Sequence, residues 1–117
     1  MKREDAIEQL IAHIESKDDR LLKPDVLVIG GDFNTDDPDT PAGQSPGERT
    51  FSFLRKAGFD WSFESIAHAD RITCQTKGRY PPACFDYFWT RGLKKPLSAV
   101  KAAEGSDHLP VVLEISL

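Results

Sequence analysis

Five polar residues stand where apolar runs of this chain begin, end or are interrupted, and their types could do chemistry together. Asp32 and Asn34 follow a buried-looking run in "VLVIGGDFN", Asp86 interrupts the aromatic "CFDYFW", and Asp107 and His108 open the apolar "SDHLPVV". Carboxylate oxygens suit a hard divalent cation such as Mg²⁺, which prefers carboxylate and water ligands. An imidazole beside a carboxylate has its charged form favoured, so it can donate a charge-assisted hydrogen bond at neutral pH. Each stretch also has a plain structural reading. Gly-Asp-Asn is ordinary turn chemistry, "SDH" makes a polar turn before a strand, and Asp86 could be an edge-strand charge. Among aromatic neighbours, however, an unpaired carboxylate is costly, so Asp86 is expected to have a partner. Ser106, Asp107 and His108 are the right types for a hydrolase triad, but consecutive residues on an extended chain point alternately and cannot form one among themselves.

The elements that must position these residues are legible in part. Ala6, Ile7, Leu10, Ile11 and Ile14 follow the spacing of a helix with one apolar face, closed by "ESKDDR" and Pro24. Residues 25 to 30 form a short apolar run suited to a strand covered on both faces. "TDDPDTPAGQSPGE" reads as a loop, with Asp36, Asp37 and Asp39 solvated, since they lack the spacing and terminal Glu of a calcium-binding loop. "ERTFSFLRKAG" predicts a second helix, with Phe51 and Leu54 inward and Gly58 as its stop. Strands are expected around 60 to 66, 71 to 76, 84 to 90, 97 to 101 and 109 to 116. The fold class is therefore α/β, with one mostly antiparallel mixed sheet and about two helices on one face.

The motifs "GDFN", "FDYFW" and "SDHLPV", in this order and spacing, resemble the C-terminal half of the endonuclease/exonuclease/phosphatase superfamily, which includes DNase I-like nucleases and abasic-site endonucleases. The resemblance runs over essentially all 117 residues, read as a single partial domain. It implies half of a four-layer α/β sandwich and Mg²⁺- or Mn²⁺-dependent hydrolysis of phosphate esters. It further implies that Asp32 orients or activates the attacking water and contributes to the metal site. Asn34 would hydrogen-bond the scissile phosphate, and Asp107 would ligate or place the metal. His108 would contact a phosphate oxygen or move a proton, held by Asp86. The substrate could be nucleic acid, inositol phosphate or phospholipid. Attack on a phosphodiester needs an oriented water and a positive charge to meet the developing negative charge, and these residue types can supply both. The family's earlier half would supply a metal-binding Glu, an Asn and a further His, for which this sequence has no counterpart. A missing N-terminal half, or self-association, is thus expected to cover the free sheet face. A reading from another class is a non-catalytic interaction module that retains the half-sandwich.

Composition bounds these readings without choosing among them. With 39% hydrophobic and 29% charged residues, the chain reads as soluble and globular. No apolar run approaches the roughly 20 residues of a membrane span, and the charged "MKREDAIEQL" holds no signal-peptide core. The net charge of −4 conceals an asymmetry: residues 71 to 101 carry seven bases against Asp86 alone, while residues 1 to 70 carry 8 bases and 15 acids. The basic segment is either a solvated face or suited to an anionic substrate. His13 and His68 read as structural or surface residues. Lys77, Arg79 and Tyr80 fall in a hairpin turn that is either plain surface, the favoured reading, or in reach of a leaving group or flanking phosphate. Cys74 and Cys84 would oppose each other in a hairpin symmetric about Arg79, within reach of a disulfide; two buried thiols are the expected state.

Overall fold

A computed structural model of the chain describes residues 3–15, 26–40, 49–75 and 81–116. Along these segments run α1 (Arg3–Glu15), β1 (Leu27–Asp32), α2 (Thr50–Lys56), β2 (Asp60–Trp61), a 3₁₀ turn at His68–Asp70, β3 (Asp86–Arg91), β4 (Leu97–Val100) and β5 (Val111–Glu114). The α/β class stands, with every strand pair antiparallel. The strands form a three-stranded sheet ordered β1-β3-β2 and a two-stranded sheet of β4 and β5. They do not make one continuous sheet; at the seam Cys74, between β2 and β3, forms isolated bridges to both Ala83 and His108.

Side-chain alternation on β3 decides what is core. Tyr87 and Trp89 are buried on one face with Phe51, Leu54, Trp61 and Phe63, and Leu27 and Ile29 of β1 pack on the same cluster. Phe51 of α2 meets Trp61, Tyr87 and Trp89 edge-on at centroid distances of 4.9, 5.5 and 5.0 Å. Each such ring is worth roughly 1.5–3 kcal/mol of burial, with more from edge-to-face geometry. Both helices cover this face: Ile7 of α1 is buried, with Ile11 and Ile14 packed beside it, while Ala6 is exposed. Gly58 ends α2 as expected, at φ +86°, its N–H donating to the Arg55 carbonyl (3.0 Å).

The opposite face of the β1–β3 pair carries Val28, Gly30 and Asp32 against Thr90, Phe88 and Asp86. Gly30 is demanded there by close approach, because a Cβ at this position would stand 2.6 Å from the Phe88 ring. Val28 (43% exposed), Val112 (43%) and Leu97 (66%) are the larger apolar residues left open to solvent among those described, with Ile115. The strand expected over 60 to 66 is only two residues long, since hydrogen-bonded turns follow, with the Glu64 N–H donating to the Trp61 carbonyl and the Ile66 N–H to that of Phe63.

Two further expectations are corrected. Asp36 is not solvated but 1% exposed. Its carboxylate accepts the Cys84 N–H (2.8 Å) and the Asp37 N–H (2.7 Å), and so belongs to the interior by satisfying backbone donors. Cys74 pairs with Ala83 and not with Cys84. The Ala83 carbonyl accepts from the N–H groups of both Thr73 (3.0 Å) and Cys74 (2.9 Å), the bonding pattern of a β-bulge. The pairing of 74 with 83 is one residue off the register symmetric about Arg79, and a one-residue offset sends the two cysteines to different surroundings. Both are free thiols, and both are buried. Residues 16–25, with the stop expected at "SKDDR" and Pro24, the stretch 41–48, and the turn holding Lys77, Arg79 and Tyr80 lie outside the described residues.

Candidate functional site

The site is built by the ends of two strands and one loop. Asp32 closes β1 and Asp86 opens β3, and the antiparallel register makes them direct partners. One rung further, the Phe33 N–H donates to the Phe85 carbonyl (2.7 Å). Residues 33 and 85 therefore occupy a hydrogen-bonded rung, which leaves Asp32 and Asp86 on the alternate, non-hydrogen-bonded kind, where facing side chains come closer. Two carboxylates so placed repel unless a positive charge joins them.

His108 joins them. Its Nδ1 lies 2.6 Å from Asp86 Oδ2, with the imidazole 32% and the carboxylate 20% exposed. An ionised carboxylate only accepts, so Nδ1–H is the donor and Nε2 is left as the nitrogen available to a substrate. The His108 pKa is raised above its ordinary value, first by this hydrogen bond and then by the negative charges of Asp86, Asp32 and Asp107, against an opposing effect of burial. One ligand-type atom from each of Asp32, Asp86 and His108 lies within 4.8 Å of the others. An open cleft of about 260 Å³ adjoins them, bounded by Gly31, Asp32, Asp86, Phe88, Leu109 and Pro110 among others.

The loop after β1 is held firmly. Phe33 stacks on Tyr87 with centroids 4.7 Å apart, the Tyr87 hydroxyl donates to the Thr35 carbonyl (2.7 Å), and Asp36 is anchored to Cys84. Asn34 sits in this loop at φ +52°, a left-handed conformation that Asn tolerates better than most residues. Its N–H donates to Asp32 Oδ1 (2.8 Å). The loop thus carries Asn34 beside the carboxylate at the strand end.

Four of the five residues singled out in the sequence therefore meet: Asp32, Asp86 and His108 as a cluster, with Asn34 hydrogen-bonded to Asp32. Asp107 is exposed and outside the cluster, though its charge acts on His108 and Cys74. Burial above all pushes the Cys74 and Cys84 thiols up, helped at Cys74 by Asp107, Asp86 and Asp32. Both stay protonated, in keeping with structural roles. His68 lies in the 3₁₀ turn, outside the cluster. The basic segment is partly consumed internally. Arg71 is buried, donates to the Ile66 carbonyl (2.7 Å), stands 3.7 Å from Asp37 and lies over the Trp61 ring.

A hard divalent cation fits the donor set in outline. The Asp32 carboxylate and the second Asp86 oxygen are of the right chemistry, with water completing the shell, while His108 remains the hydrogen-bond partner of Asp86. A larger cleft, about 500 Å³, lies along Gly58, Asp60, Trp61, Lys95 and Pro96. Its Arg55 is already engaged with Glu64 through two bonds of 2.8 and 2.9 Å, and it holds none of the clustered groups. Sequence reasoning missed Asp36, Thr73 and Tyr87 as supports of the site. Asp36 carried a weak signal, as the first Asp of "DDPD", and Tyr87 one through the "FDYFW" motif; Thr73 carried none. No protein-family model matches the chain, and no curated protein or solved structure matches it either.

Proposed function

We propose that this chain carries the second half of a divalent-metal-dependent phosphoesterase site of the endonuclease/exonuclease/phosphatase type. The observation that carries this reading is the His108–Asp86 contact of 2.6 Å standing beside Asp32. In this reading Asp32 accepts a proton from, or orients, the attacking water. Asn34 and the His108 imidazolium meet the phosphate oxygens, where negative charge grows in the transition state. Asp86 holds the imidazole in one tautomer and favours its charged form. Mg²⁺ or Mn²⁺ held by the carboxylates, Asp107 among them as the resemblance implies, would polarise the phosphate. A remaining ligand would come from a first half of the domain or from another chain.

The test is hydrolysis of a chromogenic phosphodiester in Mg²⁺, in Mn²⁺ and in EDTA, by the chain and by a full domain containing it. Metal-dependent turnover that His108→Ala reduces by two or more orders of magnitude (about 10²–10⁴-fold for a general acid–base group) supports the reading. Equal turnover by the variant overturns it.

A specific observation also favours the interaction reading. Val28, Leu97, Val112 and Ile115 are exposed apolar side chains of the kind that a partner surface or a second sheet covers. No described helix is long and apolar enough to cross a membrane. Sedimentation of the chain alone, giving a dimer or larger species that Val112→Lys dissociates, would support coverage by self-association; a monomer with no binding of apolar dye would oppose it.

A further inference from the structure

We infer that Thr73 is the positioning residue that sets Asp86 against His108, an inference that rests on reading this pair as the functional site. Thr73 is fully buried and occupies the first position of the bulge opposite Ala83. A bulge re-aims the side chain it carries. Here the hydroxyl oxygen Oγ1 accepts two backbone donors, the N–H of Phe85 (2.9 Å) and the N–H of Asp86 itself (3.1 Å). Phe85 thereby turns its N–H away from β1, although its carbonyl still accepts from Phe33.

The same residue holds the other half of the pair. The Thr73 carbonyl accepts the Leu109 N–H at 2.7 Å, and its neighbour Cys74 bridges to His108. One residue therefore ties the start of β3, through its side chain, to the segment bearing His108, through its backbone. The two sheets share no continuous ladder at this point, so these bonds substitute for one. A valine has nearly the same shape as threonine but no acceptor, and would leave two interior N–H groups unpaired. A serine keeps the acceptor.

The experiment reads the pair directly by NMR of the metal-free chain. In the wild type the His108 Nδ1 proton is expected as a protected, far-downfield resonance, absent in His108→Ala. Thr73→Val is expected to lose that resonance or shift it upfield, with the indole N–H signals of Trp61 and Trp89 still dispersed; Thr73→Ser is expected to retain it. A folded Thr73→Val that keeps the resonance unmoved overturns the inference and leaves the site reading intact. A wild type without the resonance removes the Asp86–His108 pairing itself, and both readings fall. Should Thr73→Val not fold, wild-type amide exchange decides. Slow exchange at Phe85 and Asp86 that becomes fast in Thr73→Ala but not in Thr73→Ser supports the inference, and fast exchange in the wild type overturns it.

Discussion

Asp32 and Asp86 face each other near the end of the β1–β3 ladder, and His108 closes on Asp86 at 2.6 Å. Directly opposed carboxylates are unfavourable in a sheet, so the arrangement has a reason to persist only where cations gather. The imidazolium of His108 provides one positive charge, and a divalent ion at Asp32 would provide more.

The pH dependence of stability follows from the raised His108 pKa. A group whose folded-state pKa lies above its unfolded value contributes stability that is fully present below the unfolded pKa, here 6.5, and is lost as pH rises through the folded value. In EDTA, the stability difference between wild type and Asp86→Asn is therefore expected to be largest below pH 6.5 and to shrink as the pH rises above it. Denaturant midpoints on both sides of that value check it; a difference that grows with pH would contradict the pairing.

Metal binding separates the cluster from the residue beside it. Asp32→Asn and Asp86→Asn are each expected to weaken Mn²⁺ binding at least about tenfold, equivalent to about 1.4 kcal/mol. Asp107→Asn, whose carboxylate lies outside the cluster, is expected to cost less. Paramagnetic resonance of free Mn²⁺ measures all three, and the reverse order would make Asp107 the principal ligand.

Asp36 is expected to matter more to stability than any other acid of its loop. Removing it in Asp36→Ala leaves the Cys84 N–H unpaired in the interior, at a cost of about 2–3 kcal/mol. Asp39→Ala, at an exposed position, should change stability by under about 0.5 kcal/mol. Urea denaturation of both variants makes the comparison, and equal small effects would return Asp36 to the solvent.

Gly30 tests the open face of the sheet. Gly30→Ala drives a methyl into the Phe88 ring and is expected to cost about 1–3 kcal/mol. Phe88→Ala in the same chain removes the obstacle, so the double variant should be more stable than the two single effects would sum to. Simple additivity would mean that the ring does not lie over Gly30.

What the sequence by itself determined was whatever depends on neighbours within a few positions. The apolar spacing of α1, the Phe51 and Leu54 face of α2 with its Gly58 stop, and the apolar run of β1 ending in Asp32 are local patterns that helix and strand periodicity makes visible. The residue types at 32, 34, 86 and 108 declared their chemistry in the same way. Tertiary structure decided the rest, because those facts depend on which distant backbone a side chain meets. The bond from Cys84 to Asp36 spans 48 residues and that from Tyr87 to Thr35 spans 52. A register one residue off the symmetric hairpin set Cys74 against Ala83 instead of Cys84, and side chains on a strand change face at every step. Register and burial are cooperative properties of paired strands, and only the folded chain brought Asp32, Asp86 and His108 to one point.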